Sequence, residues 1–344
     1  MDNNEQSRLI WALTLILLGS VLNLFVAVFN APHLNRLSPS SVLVVSLCIS
    51  DFVFSTNNVI TISLRLSQDN EAINTYACRV RGAISVWTAM LSLGLVTGLT
   101  LFRYLTVIIG SNIQARQTLI YLTLYAGTTA GIAAVPFIIG DAEEVYALQP
   151  SKITCSVAFW NPRARWMSAV CAALTIVPVT TIALAYFQIF KQVSRVFGEL
   201  HQSSAEGKEG SAQGARCAIT AINSAHGLRT VSLLSSANGT RQENVGIATL
   251  MSQDRERQRN LLLQSIALVS CFLIGWTPYL VFGMVEVIAG RQLSIDFEFP
   301  AEMCIALNEV ASPIIALIFD RQLRHNVVRV FGRGKRTTSL YRVT

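Results

Sequence analysis

Long apolar segments, separated by shorter polar ones, dominate the pattern along the chain. A membrane-spanning helix needs about 20 predominantly apolar residues, and seven segments reach that length. We predict helices at residues 9–30, 40–64, 79–108, 117–139, 166–194, 257–288 and 299–319. Closed barrels also satisfy the backbone in lipid, but these segments are too long for barrel strands and lack their alternation. The pattern therefore predicts an all-α membrane protein with a seven-transmembrane helix bundle.

The composition agrees with lipid as the solvent. Hydrophobic residues make up 52% of the chain and charged residues only 14%, against about 25% charged in soluble domains. The formal net charge of +7 raises the question of a nucleic-acid partner. However, most lysines and arginines lie in segments that face the cytoplasm if the N-terminus is outside, as the positive-inside rule requires. We therefore expect membrane lipid, and no nucleic acid, as the partner of this charge.

The remaining segments complete the predicted organisation. Residues 1–8 are polar and are predicted to form an extracellular N-terminus before a seven-helix domain at 9–331. Residues 196–255 are rich in Ser, Gly, Gln and Ala and are predicted to be a disordered cytoplasmic loop. Residues 320–331 have apolar and basic faces and are predicted to form a short amphipathic eighth helix at the interface. Residues 332–344 would form a cytoplasmic tail.

Several polar residues lie inside the predicted helices, where they are costly and commonly functional. They are Asn23, Asp51, Ser92, Asn308, Glu309 and Ser312. Two carboxylates and several neutral oxygens would suit a hard cation or a proton. Alternatively, the same groups hold helices together by hydrogen bonds. The residues by themselves leave both interpretations open.

Other residues indicate a bundle that rearranges. Trp276 precedes Pro278 in helix six, and prolines kink helices by removing a backbone hydrogen bond. Arg103 lies near the cytoplasmic end of helix three, where it would contact headgroups, loop carbonyls or a cytoplasmic partner. Cys78 and Cys155 lie near the outer loops, in an oxidising compartment that permits a disulfide.

Taken in order, these residues resemble the landmarks of rhodopsin-like (class A) G protein-coupled receptors. The resemblance rests on the spacings among Asn23, Asp51, Cys78 and Arg103, and on the helix-six sequence around Trp276. It extends over about residues 9–331. It implies a multi-pass receptor in the plasma membrane, with the N-terminus extracellular and the C-terminus cytoplasmic.

The resemblance also implies a mode of action. An extracellular ligand would drive an outward movement of helix six, which a heterotrimeric G protein would read. A kinase and arrestin are expected partners at the third cytoplasmic loop and the tail. The alternative is a seven-helix transporter or proton-coupled carrier, which would contain internal repeats, and the sequence contains none. We do not expect an enzyme, since no catalytic triad or histidine-rich metal set is present.

The family's functional positions carry over residue by residue. Those that resemble its switch and G protein contacts are Arg103, Tyr104, Tyr186, Phe272, Pro278 and Pro313. Those that resemble its sodium site are Asp51, Ser92, Asn308 and Ser312. Cys78 and Cys155 fall on its disulfide positions. No cofactor is expected, apart from the sodium ion that these positions would bind by the resemblance.

The ligand is less well specified. Ser85 occupies the helix-three position where amine receptors carry an aspartate, which argues against a simple monoamine. Ala306 occupies the opsin lysine position, which argues against retinal. The candidate ligand-binding residues are Arg81, Ser85, Trp276, Tyr279, Glu286 and Glu302. They suggest a small polar or zwitterionic molecule or a short peptide.

The chain also departs from the family pattern, as a divergent, orphan-type member would. Phe102 replaces the acid that normally pairs with Arg103, and Gln258 replaces a second acid in helix six. Ser312 and Ala316 replace an asparagine and a tyrosine in helix seven, and helix four has no tryptophan. The loss of the two acids predicts a weak resting-state restraint on Arg103. The loss of the helix-seven tyrosine leaves two alternatives, a divergent signalling receptor or one that no longer couples to a G protein.

Overall fold

The structure, a computed structural model, describes residues 3–67, 76–111, 113–206 and 241–337. Within these ranges it has seven helices long and apolar enough to cross a membrane. They are α1 (Asn3–Asn30), α2 (Pro39–Leu66), α3 (Tyr76–Tyr104), α4 (Ala115–Ile139), α5 (Arg165–Glu206), α6 (Arg241–Ala289) and α7 (Ile295–Phe319). An eighth helix, α8 (Arg321–Thr337), follows α7. The predicted seven-helix bundle with an eighth helix is confirmed.

Short elements connect the helices on both sides of the bundle. A 3-10 helix (Ala31–Arg36) follows α1, and a π-helical turn (Leu105–Ile109) continues α3. That turn ends at Gly110, whose φ of 70° lies in the left-handed region that glycine adopts without strain. These elements lie on the side of the bundle that carries Arg103.

The segment between α4 and α5 forms a small hairpin at the opposite end. A helical turn (Ala142–Val145) leads into β1 (Tyr146–Leu148), which pairs antiparallel with β2 (Cys155–Val157). A 3-10 turn (Pro162–Ala164) then leads into α5. The Tyr146 hydroxyl donates to the carbonyl of Ala133 at 2.8 Å, and burial raises the pKa of this phenol, so it remains a neutral donor.

Two predicted segments outside the membrane are helical instead. Residues 196–206 extend α5, and residues 241–255 begin α6, so the prediction of disorder across 196–255 is wrong for these parts. Residues 207–240 lie outside the described ranges. The extensions contain no proline, and a helix already nucleated in the membrane propagates at little further cost.

The predicted ends of the bundle also differ. Helix α1 begins at Asn3, before the predicted start of helix one at residue 9, so residues 3–8 are helical. The early helix is held by contacts: Arg8 pairs with Asp296 at 3.0 Å, and its guanidinium lies 5.7 Å from the Phe299 ring centre. At the other end α8 continues to Thr337, beyond the predicted start of the tail at 332.

The largest apolar core lies between α2, α3, α6 and α7. It contains Val45, Leu95, Leu268 and Phe272, all buried. Large apolar side chains on the outer faces, such as Trp11, Ile138, Ile176, Ile274 and Ile288, are exposed from the bundle. This arrangement suits a solvent of hydrocarbon, in which apolar side chains lose nothing by facing outward.

Helices α3 and α4 meet through tyrosines and glycines. The Tyr121 hydroxyl donates to the carbonyl of Gly94 at 2.6 Å, and Tyr121 stacks on Tyr125 with ring centres 5.8 Å apart. A Cβ atom at Gly94 would lie 1.9 Å from Cε1 of Tyr125, and one at Gly98 would lie 2.6 Å from Tyr121. Two tyrosine rings of α4, the helix without a tryptophan, therefore occupy the space that the two glycines leave on the surface of α3.

Helix α8 is anchored to the start of α2. Asp320 caps α8, because its Oδ1 accepts from the backbone N–H groups of Gln322 and Leu323. Its Oδ2 accepts from the Ser41 hydroxyl at 2.7 Å. Gln322 in turn accepts from the backbone N–H of Ser38 at 3.2 Å. The Asp320 carboxylate thus both caps α8 and, together with Gln322, holds it against the start of α2.

Candidate functional site

The hairpin β1–β2 lies over one end of the bundle and is bonded to α3. Cys78 at the start of α3 forms a disulfide with Cys155 of β2, with 5.6 Å between their Cα atoms, as predicted. Lys152, in the turn of the hairpin, donates to Glu5 of α1 at 2.8 Å. These contacts hold the hairpin as a cover over the space between the helices.

Beneath this cover lies a cavity of about 550 Å³. Its size falls in the range of small-molecule binding sites, which is about 300–1,000 Å³. Of the six residues predicted to bind ligand, the structure places Ser85, Trp276, Tyr279 and Glu302 on its wall. Arg81 and Glu286 are buried nearby but do not line the cavity.

Aromatic rings from two helices meet at the bottom of the cavity. Trp276 of α6 stacks on Phe272, one turn below it, with ring centres 5.7 Å apart. It also lies 5.9 Å from Phe54 of α2 and 6.3 Å from Tyr279. The bottom of the cavity is therefore built on the part of α6 that Pro278 interrupts. A ligand that displaces Trp276 would act directly on this helix.

Three carboxylates lie near the outer end of the cavity. Glu298 accepts from the backbone N–H of Ser151 in the hairpin at 2.7 Å, and Glu286 accepts from the backbone N–H of Leu293 at 2.9 Å. Glu302 is also buried, with 5% of its surface exposed, but neither of its carboxylate oxygens accepts a hydrogen bond. The Tyr279 hydroxyl, bonded to Ser156 at 2.7 Å, lies within electrostatic range of all three.

At the opposite end of the bundle, Arg103 contacts α6. Its Nε donates to the Ser265 hydroxyl at 3.0 Å, and its guanidinium carbon lies 5.6 Å from the centre of the Phe102 ring. Tyr186 of α5 lies within electrostatic range of Arg103. The side chain of Gln258, the predicted position of a second partner, lies outside the described residues.

Comparison with known proteins now decides the family. The model for the 7 transmembrane receptor (rhodopsin family) matches residues 22–315. This chain belongs to the rhodopsin family of G protein-coupled receptors. A crystal structure of squid rhodopsin superposes with a TM-score of 0.70, at 18% identity, covering 96% of this chain and 86% of that one. No curated protein matches the sequence.

Membership of this family confirms several predictions about the receptor. It is a multi-pass membrane protein with a seven-helix fold, and its family is one of receptors rather than of enzymes. At 18% identity the likeness to squid rhodopsin extends to the fold alone. The alanine predicted at the opsin lysine position, Ala306, is buried in α7 on the cavity wall.

The receptor's predicted sodium residues lie deeper, between α2, α3 and α7. The Ser92 hydroxyl donates to Oδ1 of Asp51 at 2.8 Å, while Oδ2 of Asp51 accepts no hydrogen bond. Oδ1 of Asn308 is likewise buried without a partner. The Ser312 hydroxyl donates to the carbonyl of Asn308 in its own helix, at 2.9 Å. Free oxygens on Asp51 and Asn308 are the kind of ligand that a hard cation prefers.

Glu309, the extra acid beside this group, has its own partners. Its carboxylate accepts a hydrogen bond from the Ser55 hydroxyl, and its backbone carbonyl accepts from Asn23 at 2.9 Å. Side-chain hydrogen bonds therefore join α1 and α2 to α7, as the helix-linking interpretation of these residues predicts. The hydrogen bonds of Glu309 agree with the helix-linking interpretation, and the cation interpretation stays a prediction for Asp51.

Reasoning from the sequence missed several residues that the structure brings to the site. Ser265 was not a candidate, because a serine in an apolar helix gives no sign of the partner it faces. The cavity wall also includes Asn58, Thr154, Ser156 and Arg165. Thr154 and Ser156 adjoin Cys155, so the predicted disulfide could have identified them, since it brings that segment against α3.

Proposed function

We propose that this receptor binds an extracellular small molecule or short peptide in the cavity and transmits the event to a heterotrimeric G protein. The main support for this proposal is that a single helix, α6, reaches from the cavity at one end of the bundle to Arg103 at the other. It contributes Trp276 to the cavity and Ser265 to Arg103. A ligand that favours an outward position of α6 would break the contact to Arg103 and open the surface that a G protein binds.

The same proposal assigns the orientation. The N-terminus and the disulfide-bonded hairpin face the outside of the plasma membrane, while Arg103, Tyr104, Tyr186 and α8 face the cytoplasm. The excess of basic residues on the Arg103 side supports this orientation. The segment between α5 and α6 and the tail would be the sites for a kinase and arrestin. Sodium would bind at Asp51, Ser92, Asn308 and Ser312.

The test is a coupling screen in cells that express the receptor with chimeric G proteins of each class. We expect at least one class to show activation above cells without receptor. Arg103→Ala should abolish that signal at equal surface expression. Gly127→Ala is a matched control, since a Cβ atom there meets nothing within 4 Å. A signal that survives in Arg103→Ala, or its absence for every class in a library of ligands, would contradict the proposal.

A further inference from the structure

The cavity wall carries one acidic side chain that the fold does not use. Glu298 and Glu286 each accept a hydrogen bond from a loop backbone, and both have a structural role at the outer ends of their helices. Glu302 is as deeply buried, yet neither of its oxygens accepts a hydrogen bond and no ion pair reaches it in the described part of the chain. Its one polar interaction with the hairpin is a weak one with the Ser151 side chain, which lies outside the geometry of a formed hydrogen bond.

The position of Glu302 directs it toward the cavity. It lies on the cavity wall in α7, one helical turn from Ala306, which lies on the same wall. Tyr279 lies close enough to interact with it electrostatically and also borders the cavity. The one cationic side chain on the wall, Arg165, is exposed at the start of α5, 3.7 Å from the point where a Cβ of Gly290 would lie. It therefore lies at the rim and forms no ion pair with Glu302.

A buried carboxylate without a partner is unfavourable, and it persists where another component completes it. We propose that Glu302 is the counter-ion for a cationic group of the ligand, a protonated amine or a guanidinium on a mainly apolar body. The carboxylate would accept charge-assisted hydrogen bonds from that group, and the ring of Tyr279 would add a cation–π contact. The apolar body would lie against Phe272 and Trp276.

This inference rests on the proposed function only in taking the cavity as the ligand site. It is also compatible with Ser85, the residue that occupies the helix-three position where amine receptors carry an aspartate. The wall formed by α3 offers no acid, and the charge comes from α7 on another wall. Ser85 argues only against an amine that is bound by an acid of helix three. Glu302 would instead bind the cation through an acid of helix seven.

Binding to purified receptor tests the inference without a G protein. The probes are pairs of arylalkylamines and the alcohols of the same shape, beginning with 4-phenylbutylamine and 4-phenylbutan-1-ol. We expect amines to raise the unfolding temperature more than their alcohols do. Glu302→Gln should remove that preference and weaken amine binding by about tenfold or more, as for loss of a charge-assisted hydrogen bond. Glu302→Asp should retain the preference.

Glu286→Gln is the matched control, because Glu286 is an equally buried acid outside the cavity wall. It should leave the preference for amines unchanged. If no pair in the panel favours the amine, or if Glu302→Gln keeps the preference, the inference is overturned. Because basal G protein activation is measured separately and without ligand, that result leaves the proposed function standing.

A tethered cation gives a second test that needs no library. Ala306→Lys adds an ammonium one turn from Glu302 on the same wall, and Ala306→Met adds similar bulk without charge. We expect Ala306→Lys to unfold at a higher temperature than Ala306→Met in the wild-type background. That difference should disappear or reverse in the Glu302→Gln background. An equal difference in both backgrounds would show that Glu302 does not receive a cation at this point.

Discussion

Arg103 of α3 donates a hydrogen bond from Nε to the Ser265 hydroxyl of α6, at 3.0 Å. Ser265 is an uncharged side chain, fully buried beside Arg103. The cytoplasmic ends of α3 and α6 are thus joined through a neutral group. A neutral hydroxyl restrains a guanidinium less than a carboxylate does, because a hydrogen bond in which both partners are charged is stronger.

Removing this hydroxyl should raise ligand-free signalling. A hydrogen bond to a charged group contributes about 1.5–3 kcal/mol, and Ser265→Ala would withdraw that from the resting arrangement alone. We expect a several-fold rise in basal G protein activation, measured at equal surface expression. Ser265→Thr keeps the hydroxyl and should stay near wild type. If the alanine and threonine variants signal equally, the bond does not restrain the receptor.

Adding an acid beside Arg103 should have the opposite effect. The Phe102 ring lies 5.6 Å from the Arg103 guanidinium carbon, so Phe102→Asp would place a carboxylate next to that charge. We expect basal activation to fall relative to wild type, because the ion pair would favour the resting position. Phe102→Asn, which has the same shape without the charge, is the control. Equal basal activity in wild type and Phe102→Asp would refute the weak-restraint hypothesis.

The sequence predicted those parts of the receptor that depend on spacing along the chain. Helix number follows from the lengths of apolar segments, and the Cys78–Cys155 bond follows from two positions that the family fixes. The contact of Ser92 with Asp51 was foreseeable for the same reason. Each of these features depends little on how one helix is rotated against its neighbour.

Features that depend on that rotation were not predictable. Ser265 faces Arg103, and Tyr125 fills the notch at Gly94, because of how the helices are turned and how close they approach. The difference between Glu286 and Glu302 is of the same kind. Both are acids near helix ends in the sequence, but one accepts a loop N–H and the other lines the cavity.

The Cys78–Cys155 disulfide should matter for stability and for the shape of the cavity cover. Loss of a native disulfide costs about 2–5 kcal/mol in small domains, and here the bond fixes the hairpin to α3. We expect Cys155→Ser to lower the unfolding temperature by several degrees and to weaken ligand binding. Cys304→Ser, at a free cysteine in α7, is the control. Peptide mapping under non-reducing conditions that finds both thiols free would contradict the bond itself.

Close packing of α3 on α4 predicts a strong effect from one methyl group. A Cβ at Gly94 would lie 1.9 Å from Cε1 of Tyr125, so Gly94→Ala forces the ring or the helix to move. Overpacking of this kind costs about 1–3 kcal/mol, which should appear as a lower unfolding temperature. Gly127→Ala, with open space around its Cβ, should change little. In a Tyr125→Ala background, Gly94→Ala should lower the unfolding temperature much less. If the two substitutions lower the unfolding temperature additively, the clash is not the cause.

Sodium binding at Asp51 gives the last prediction. Oδ2 of Asp51 and Oδ1 of Asn308 are buried and accept no hydrogen bond, so each oxygen is available as a ligand for a bound cation. At about ten times its dissociation constant, sodium would stabilise the receptor by about 1.4 kcal/mol. Unfolding temperature should therefore rise in sodium chloride relative to choline chloride, and Asp51→Asn should remove that difference.

Glu309→Gln is the control for this experiment. Glu309 lies close enough to interact electrostatically with Asp51, but its carboxylate already accepts from Ser55. If sodium binds at Asp51, Glu309→Gln keeps most of the sodium dependence while Asp51→Asn loses it. If Asp51→Asn unfolds with the same sodium dependence as wild type, the ion binds elsewhere, and Asp51 only links α2 to α3 through the hydrogen bond that its Oδ1 accepts from Ser92.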